Sequence, residues 1–466
     1  MATLIEQKPL YTQLPVGQEV IFVVSNNTIL SNPIFTNFRF IADVYISDTI
    51  PTSISSTSTP TATFKTAPNN AAVGIFDFKQ VVENYVSADN MAANQSKYKT
   101  TLTTDDTPHP LHLINQYSRN KKTARWLTIQ FKTQYFDTQF NETEVVDLQN
   151  SIDYQIFNGY LKYSDILTMG TASNANDFGF NLDSFNLSDD TNKFLTNAPA
   201  TQYANLEDYG TLSFLAQNNN LLKIRLIYEN SAGVQIGTED IDKSAANGAY
   251  NTFSTEISER LLFFGCFPAN LQNWSSTFQA LVSPVDQMSG GSIIVQAINS
   301  TAISKRYTIN INCPNLKGFE SIRLCWLNQW GVWDYYTFTQ KSVRSVSTKG
   351  STYEQLAGTW NEAAYRVDSY KGGKKAFRVN ATEKIKMNTD FVSESENEMF
   401  EELINSPEVY ILEGYQPDIT FSALNQYVKP VRLTTSSFTK KTVANDKLIQ
   451  YTFEVEKSKT LRTQSV

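Results

Sequence analysis

Apolar residues recur at every second position through much of this chain, a spacing that suits half-buried strands and not amphipathic helices. Phe38, Phe40, Ala42, Val44 and Ile46 share one face, with Arg39, Asp43 and Tyr45 between them. Leu127, Ile129 and Phe131 alternate with Thr128, Gln130 and Lys132, and Leu222, Ile224, Leu226 and Tyr228 with Lys223, Arg225 and Glu229. Near the C-terminus Ile449, Tyr451, Phe453 and Val455 face one way and Gln450, Thr452, Glu454 and Glu456 the other. The segments are rich in β-branched and aromatic residues and are separated by Ser/Thr/Asn-rich turns. They predict a mostly β protein built from several antiparallel sandwiches or barrels.

Helical signals are few. Ser393 followed by Glu396 has capping-box spacing, and Met399, Phe400, Leu403 and Ile404 form an apolar stripe that Pro407 closes, so a short helix is expected over 393–405. A second is expected from Asp77 to Val86, with Asp77 as cap and Phe78, Val81, Val82, Tyr85 and Val86 on one side. A chain of 466 residues exceeds one core at about 100–200 residues per domain. The expected divisions fall near 165 and 300: an N-terminal sandwich with a loop insertion over 1–165, a β-rich middle over 166–300, and a C-terminal sandwich over 301–466. Ile50–Pro60, Asn174–Asn192 and Gln340–Gly373 are sparsely patterned and read as loops or weak zones. No fixed-period repeat points to a solenoid or propeller.

Composition excludes several function classes. Lys and Arg number 39 against 46 Asp and Glu, a net charge of −7, so no global basic field favours nucleic acid. Aromatics at 12% argue for a folded chain. Three cysteines, Cys266, Cys313 and Cys325, cannot form a disulfide framework and are expected as small buried thiols. The first residues lack the pattern of a secretory signal, and no run approaches the ~18 apolar residues of a membrane span, so a chain retained in a cytoplasm is expected.

Chemistry-bearing motifs are weak. Asp105, Asp106, His109 and His112 could ligate a metal, but Pro108 and Pro110 make the segment a loop without the helix and glutamate of HExxH, and a solvated loop is the preferred reading. There is no GxSxG elbow and no phosphate loop; Gly290-Gly291 reads as a turn between strands. The basic runs at 120–125, 371–375 and 440–441 are two or three charges long and read as solvated loops or subunit contacts. No catalytic residue, metal or cofactor is assigned, and the chain is not expected to be an enzyme.

The densest aromatic segment is FESIRLCWLNQWGVWDYYTFT, Phe319–Thr339. Ile322, Leu324 and Trp326 alternate with Arg323, Cys325 and Leu327, and Asn328-Gln329-Trp330-Gly331 then supplies a turn in which Gly331 can take positive φ. A hairpin follows from this pattern. Its aromatics read first as sheet core, with Trp326 buried, and second as an interaction surface of Trp330, Trp333 and Tyr335 for a sugar or a partner protein.

Three stretches resemble virion structural proteins of tailed bacteriophages. They are NFRFIADVYISDT with ATFKTAPNNAAVGIFDFKQVVENYVS, then SIRLCWLNQWGVWDYYTFT, then the C-terminal VKPVRLTTSSFTKKTVANDKLIQYTFEVEKSKTLRTQ. The segment from about Gly170 to Ser300 carries no such resemblance. The resemblance implies Ig-like sandwich modules in a tail, collar, ring, baseplate or fibre-attachment protein, assembled in the host cytoplasm. The partners it implies are further copies of the chain in a symmetric oligomer and neighbouring virion proteins, without nucleic acid or membrane insertion. A receptor- or glycan-binding tail-tip protein contacting a host surface receptor is the alternative, and a depolymerase using an Asp/Glu pair a weaker one.

Overall fold

In the computed structural model the described residues are 3–47, 54, 58–87, 117–118, 123–161, 169–171, 182–216, 223–242, 261–313, 318–361, 363–413, 428–442, 448–459 and 461–462. These residues are mostly β, 51% strand and 12% helical, as the alternation predicts. The chain divides into two compact units, Met1–Pro314 with Leu327–Asp334, and Asn315–Trp326 with Tyr335–Val466. The boundary runs through the aromatic hairpin: its turn and the strand ends beside it, Leu327–Asp334, belong to the first unit and the rest of its legs to the second.

The first unit holds four sheets that form two sandwich-like pairs. In the first pair, Leu4–Pro9 lies between Met169–Thr171 and Ile21–Ser25, which in turn pairs with Val73–Asp77. The facing sheet runs Gln13–Pro15, Tyr154–Phe157, Ala124–Asp137, Phe35–Ser47, Ala62–Thr66. Phe22 is in ring contact with Phe78, Phe131 and Tyr154, and all four side chains are buried, so aromatic packing fills the space between the layers. The Asp77 carboxylate accepts from the Lys79 and Val20 amides, starting a helix shorter than expected, Lys79–Val82, continued by one 3-10 turn.

In the second pair one sheet runs Asn186–Leu187, Thr211–Ala216, Leu261–Gly265, Tyr117–Ser118. The other runs Thr201–Ala204, Tyr307–Ile311, Ser292–Asn299, Lys223–Glu229, Gln235–Asp242. Tyr117 crosses between the layers: its hydroxyl accepts from the Ile224 amide at 2.9 Å and donates to the Ile241 carbonyl at 2.8 Å. The expected division near 165 is therefore crossed twice. Tyr117–Ser118 joins the sheet of Leu261–Gly265, and Met169–Thr171 returns to Leu4–Pro9. Antiparallel pairing dominates these sheets, as expected, beside three short parallel pairs. Gln13–Pro15, Asn186–Leu187 and Thr201–Ala204 pair in parallel, each at the edge of its sheet. Gly290 takes a φ of 70° in the turn that delivers Ser292–Asn299, as that pair of glycines suggests.

Among the described residues the second unit holds, beside one small hairpin, an eight-stranded sheet in the order Trp333–Phe338, Ile322–Leu327, Val409–Leu412, Val428–Leu433, Thr452–Lys457, Gly373–Asn388, Val343–Gln355, with Leu461–Arg462 also on Gly373–Asn388. The helix Asn397–Asn405 follows the Ser393/Glu396 capping box and packs Phe400 against Tyr336, Tyr451 and Phe453. Ile449, Tyr451, Phe453 and Val455 are all buried, as their alternation predicts. Cys266 and Cys325 are buried thiols, whereas Cys313 is exposed.

Candidate protein interface

The aromatic hairpin forms where expected, over Ile322–Leu327 and Trp333–Phe338. Asn328 organises the turn: its Oδ1 accepts from the Trp330 amide at 2.9 Å and the Val332 amide at 3.3 Å, and its Nδ2 donates to the Leu195 carbonyl at 3.0 Å. Gly331 has a φ of 69°, and a Cβ there would lie 1.6 Å from the Asn158 carbonyl oxygen, so only glycine fits. Asp334 Oδ1 accepts from the Thr196 hydroxyl at 2.7 Å, and burial pushes this carboxyl up to about 6 despite that hydrogen bond and one from Asn328.

Trp330, Trp333 and Tyr335, read first as sheet core and second as an interaction surface, are 0%, 2% and 4% exposed. Trp330 lies against Phe185 with ring centroids 4.4 Å apart, and the Arg323 guanidinium sits 5.1 Å from the Tyr335 ring. These side chains are packing residues and offer no solvent-facing stacking surface. The strand Ile322–Leu327 is buried on both faces, which alternation of side chains cannot reveal. The Asp105, Asp106, His109 and His112 loop lies outside the described residues. Among the described residues no group of three or more His, Cys, Asp or Glu side chains is placed to hold a metal ion. No helix among them is long and apolar enough to cross a membrane. An open hollow of about 420 Å³ is lined by Arg225, Ile227, Gln235, Thr238, Glu239 and Asp240. It contains no aromatic ring for a sugar, and its guanidinium is held by Asp240 at 2.7 Å and 2.9 Å.

A concentration of exposed apolar side chains lies in the segment that reads as a weak zone, Gln340–Gly373, and just beyond it. Val343–Gln355 pairs antiparallel with Gly373–Asn388 over its whole length. The inner part of Gly373–Asn388 has a second neighbour: Lys384–Asn388 pairs with Thr452–Lys457, and Asn380 and Ala381 with Leu461–Arg462. Beyond Asn380 the pairing recorded among the described residues is with Gly350–Gln355 alone, which makes a two-stranded ribbon. A second hairpin, Gly358–Asn361 with Ala364–Val367, lies in the chain between the ribbon's strands. Gly372 and Gly373, at φ 92° and 71°, turn the chain back into the long strand, which accounts for the glycines of the 371–375 basic run.

Residue type explains why this segment is extended but has no core of its own. VRSVSTKGSTYEQ carries β-branched and hydroxyl side chains on both faces, so it favours a pleated backbone without an apolar side to bury. Leu356, Trp360, Val367 and Tyr370 are 77%, 70%, 69% and 72% exposed, and Tyr365 and Phe377 are about half exposed. At the root, Arg344 grips both carboxylate oxygens of Glu320 at 3.1 and 2.5 Å and one of Glu383 at 3.0 Å, while Lys457 reaches Glu383 at 2.8 Å. The Lys457 ammonium, with help from Arg344, holds the Glu383 carboxyl below the usual range. The ribbon is thus anchored by charge and carries an uncovered apolar load. Two-stranded ribbons are marginal in water alone, and clustered exposed apolar residues of this kind mark contact surfaces.

No protein-family model matches the chain, and no curated protein matches it significantly.

Proposed function

We propose that this protein is a structural component of a tailed-bacteriophage virion, built of Ig-like sandwich modules in the tail, collar, ring or baseplate region and acting through protein–protein contacts. The observation that carries the reading is the ribbon, whose large apolar side chains stand in solvent on an element too thin to bury them. Such a surface is a liability in a free monomer and an asset in an assembly, where a neighbour covers it. The resemblance of three stretches to virion proteins supports the setting, an assembly formed in the host cytoplasm. The burial of Trp330 and Trp333 removes the support for stacking on a glycan there.

The test is incorporation into particles. Phage carrying Trp360→Asp with Tyr370→Asp should yield virions depleted of this protein by mass spectrometry, while the purified variant keeps its circular dichroism spectrum. Virions containing the doubly substituted protein at the normal level would overturn the reading.

A further inference from the structure

We propose that the ribbon's occupant is the first unit of another copy of this chain, so that copies join ribbon to body. The inference rests on the assembly role above and names the partner of the same surface.

Charge selects the partner. The ribbon, Gly350–Val379, contains five Lys and Arg against three Asp and Glu, a net charge of +2, and together with its root, Val343–Asn388, nine against four, +5, in a chain that sums to −7. The first unit, Met1–Pro314 with Leu327–Asp334, contains 19 Lys and Arg against 29 Asp and Glu, a net charge of −10. The same chain therefore carries both a cationic, aromatic ribbon and an acidic body. Lys349 is exposed at the ribbon's root and Lys374 on the ribbon, in the same segment as the uncovered Leu356, Trp360, Val367 and Tyr370. This combination of apolar anchors and basic side chains suits an acidic protein surface, where the aromatics bury area and the charges steer the approach.

Charge also selects between two contacts. A contact of ribbon on ribbon would bring two net-positive segments together, and like charges oppose that pairing. A ribbon laid on the acidic unit of the next copy satisfies both surfaces and leaves each copy with one ribbon to give and one body to offer. Exchanged between two copies this contact closes a dimer, and passed on from copy to copy it closes a ring or extends a filament. A nucleic acid is the other polyanion the ribbon could meet, but the −10 first unit would repel phosphates, and Leu356 and Val367 have no role in gripping a sugar-phosphate backbone.

The experiment uses the full-length chain and light scattering after size exclusion. Wild type should self-associate at low salt and dissociate as salt rises. Lys349→Glu with Lys374→Glu should weaken association by about tenfold or more, and Trp360→Asp with Tyr370→Asp should abolish it. A tagged Trp360→Asp/Tyr370→Asp chain mixed with untagged wild type should nevertheless retain it on the tag resin, because the variant's acidic unit still accepts a wild-type ribbon. Exclusion of wild type from the resin would overturn the ribbon-to-body contact in favour of ribbon on ribbon. A wild type that stays monomeric at low salt would overturn self-association altogether. Ribbon-dependent binding of a labelled single-stranded oligonucleotide would assign the occupant to nucleic acid. Any of these failures leaves the incorporation experiment to decide the assembly role separately.

Discussion

Gly331 and the carbonyl of Asn158 approach so closely that no side chain can stand between them: a Cβ on Gly331 would sit 1.6 Å from that oxygen. The contact fixes the turn of the aromatic hairpin against the segment that follows Tyr154–Phe157, where the Tyr160 amide also donates to the Gln329 carbonyl at 2.7 Å. Gly331→Ala combines this clash with a left-handed φ and is expected to destabilise by about 3 kcal/mol or more. Denaturant titration followed by tryptophan fluorescence should show the loss, and a midpoint equal to wild type would contradict the close approach.

Trp326 and Trp360 should respond in opposite ways. Trp326→Ala removes a fully buried ring and is expected to cost about 3–5 kcal/mol. Trp360→Ser, at an exposed position, is expected to change stability by about 0.5 kcal/mol or less while weakening self-association. Thermal unfolding beside light scattering separates the two effects. A Trp360 variant that unfolds early would place that ring in the fold and not at an interface.

Tyr117→Phe deletes one oxygen and leaves the Ile224 amide and Ile241 carbonyl without the hydroxyl that joins them. The expected loss is about 1–3 kcal/mol, the penalty of buried polar groups left without partners. Hydrogen exchange at the Ile224 amide should accelerate in the variant, and unchanged protection would show that the bridge is dispensable.

Asp334 supplies a pH dependence. Burial raises its carboxyl to about 6, so the folded chain keeps a proton that the unfolded chain gives up near pH ~4. The folded state binds more protons across that interval, and the stability contributed by the protonated form is lost as pH rises from about 4 to about 6. Asp334→Asn keeps an acceptor for Thr196 and removes the titration, so its melting temperature should fall less than that of wild type over this interval. Parallel profiles for the two proteins would refute the assignment.

The strand Thr452–Lys457 lies between Val428–Leu433 and Gly373–Asn388 within its sheet. Truncation before Ile449 removes Tyr451, Phe453 and Val455 from the core and exposes two strand edges, so insoluble protein is expected. A soluble truncation that still assembles would show that the strand is dispensable.

How far the fold was legible depended on what each residue's second face meets. Ile224, Leu226 and Tyr228 are buried while Lys223, Arg225, Ile227 and Glu229 are partly open, so one-sided burial writes itself into the pattern. The capping box at Ser393 and Glu396 was equally readable because capping is local. Trp330, Trp333 and Tyr335 read first as core but left the surface reading open, since a two-sided strand and a surface strand can carry the same rings. The ribbon was hidden for the converse reason: Val343–Gln355 has no core side, so its polar and β-branched residues resemble a loop. Tyr117 was out of reach because a two-residue strand has no periodicity, and its partners are more than 100 positions away.

The ribbon's large side chains contribute almost nothing to the folding of the chain that bears them. Selection on Leu356, Trp360 and Tyr370 is therefore relaxed with respect to their own core and bound to whatever they touch. Among divergent descendants of this sequence, these positions should drift in step with residues on the contacted surface, while Trp326, Gly331 and Asn328 stay fixed.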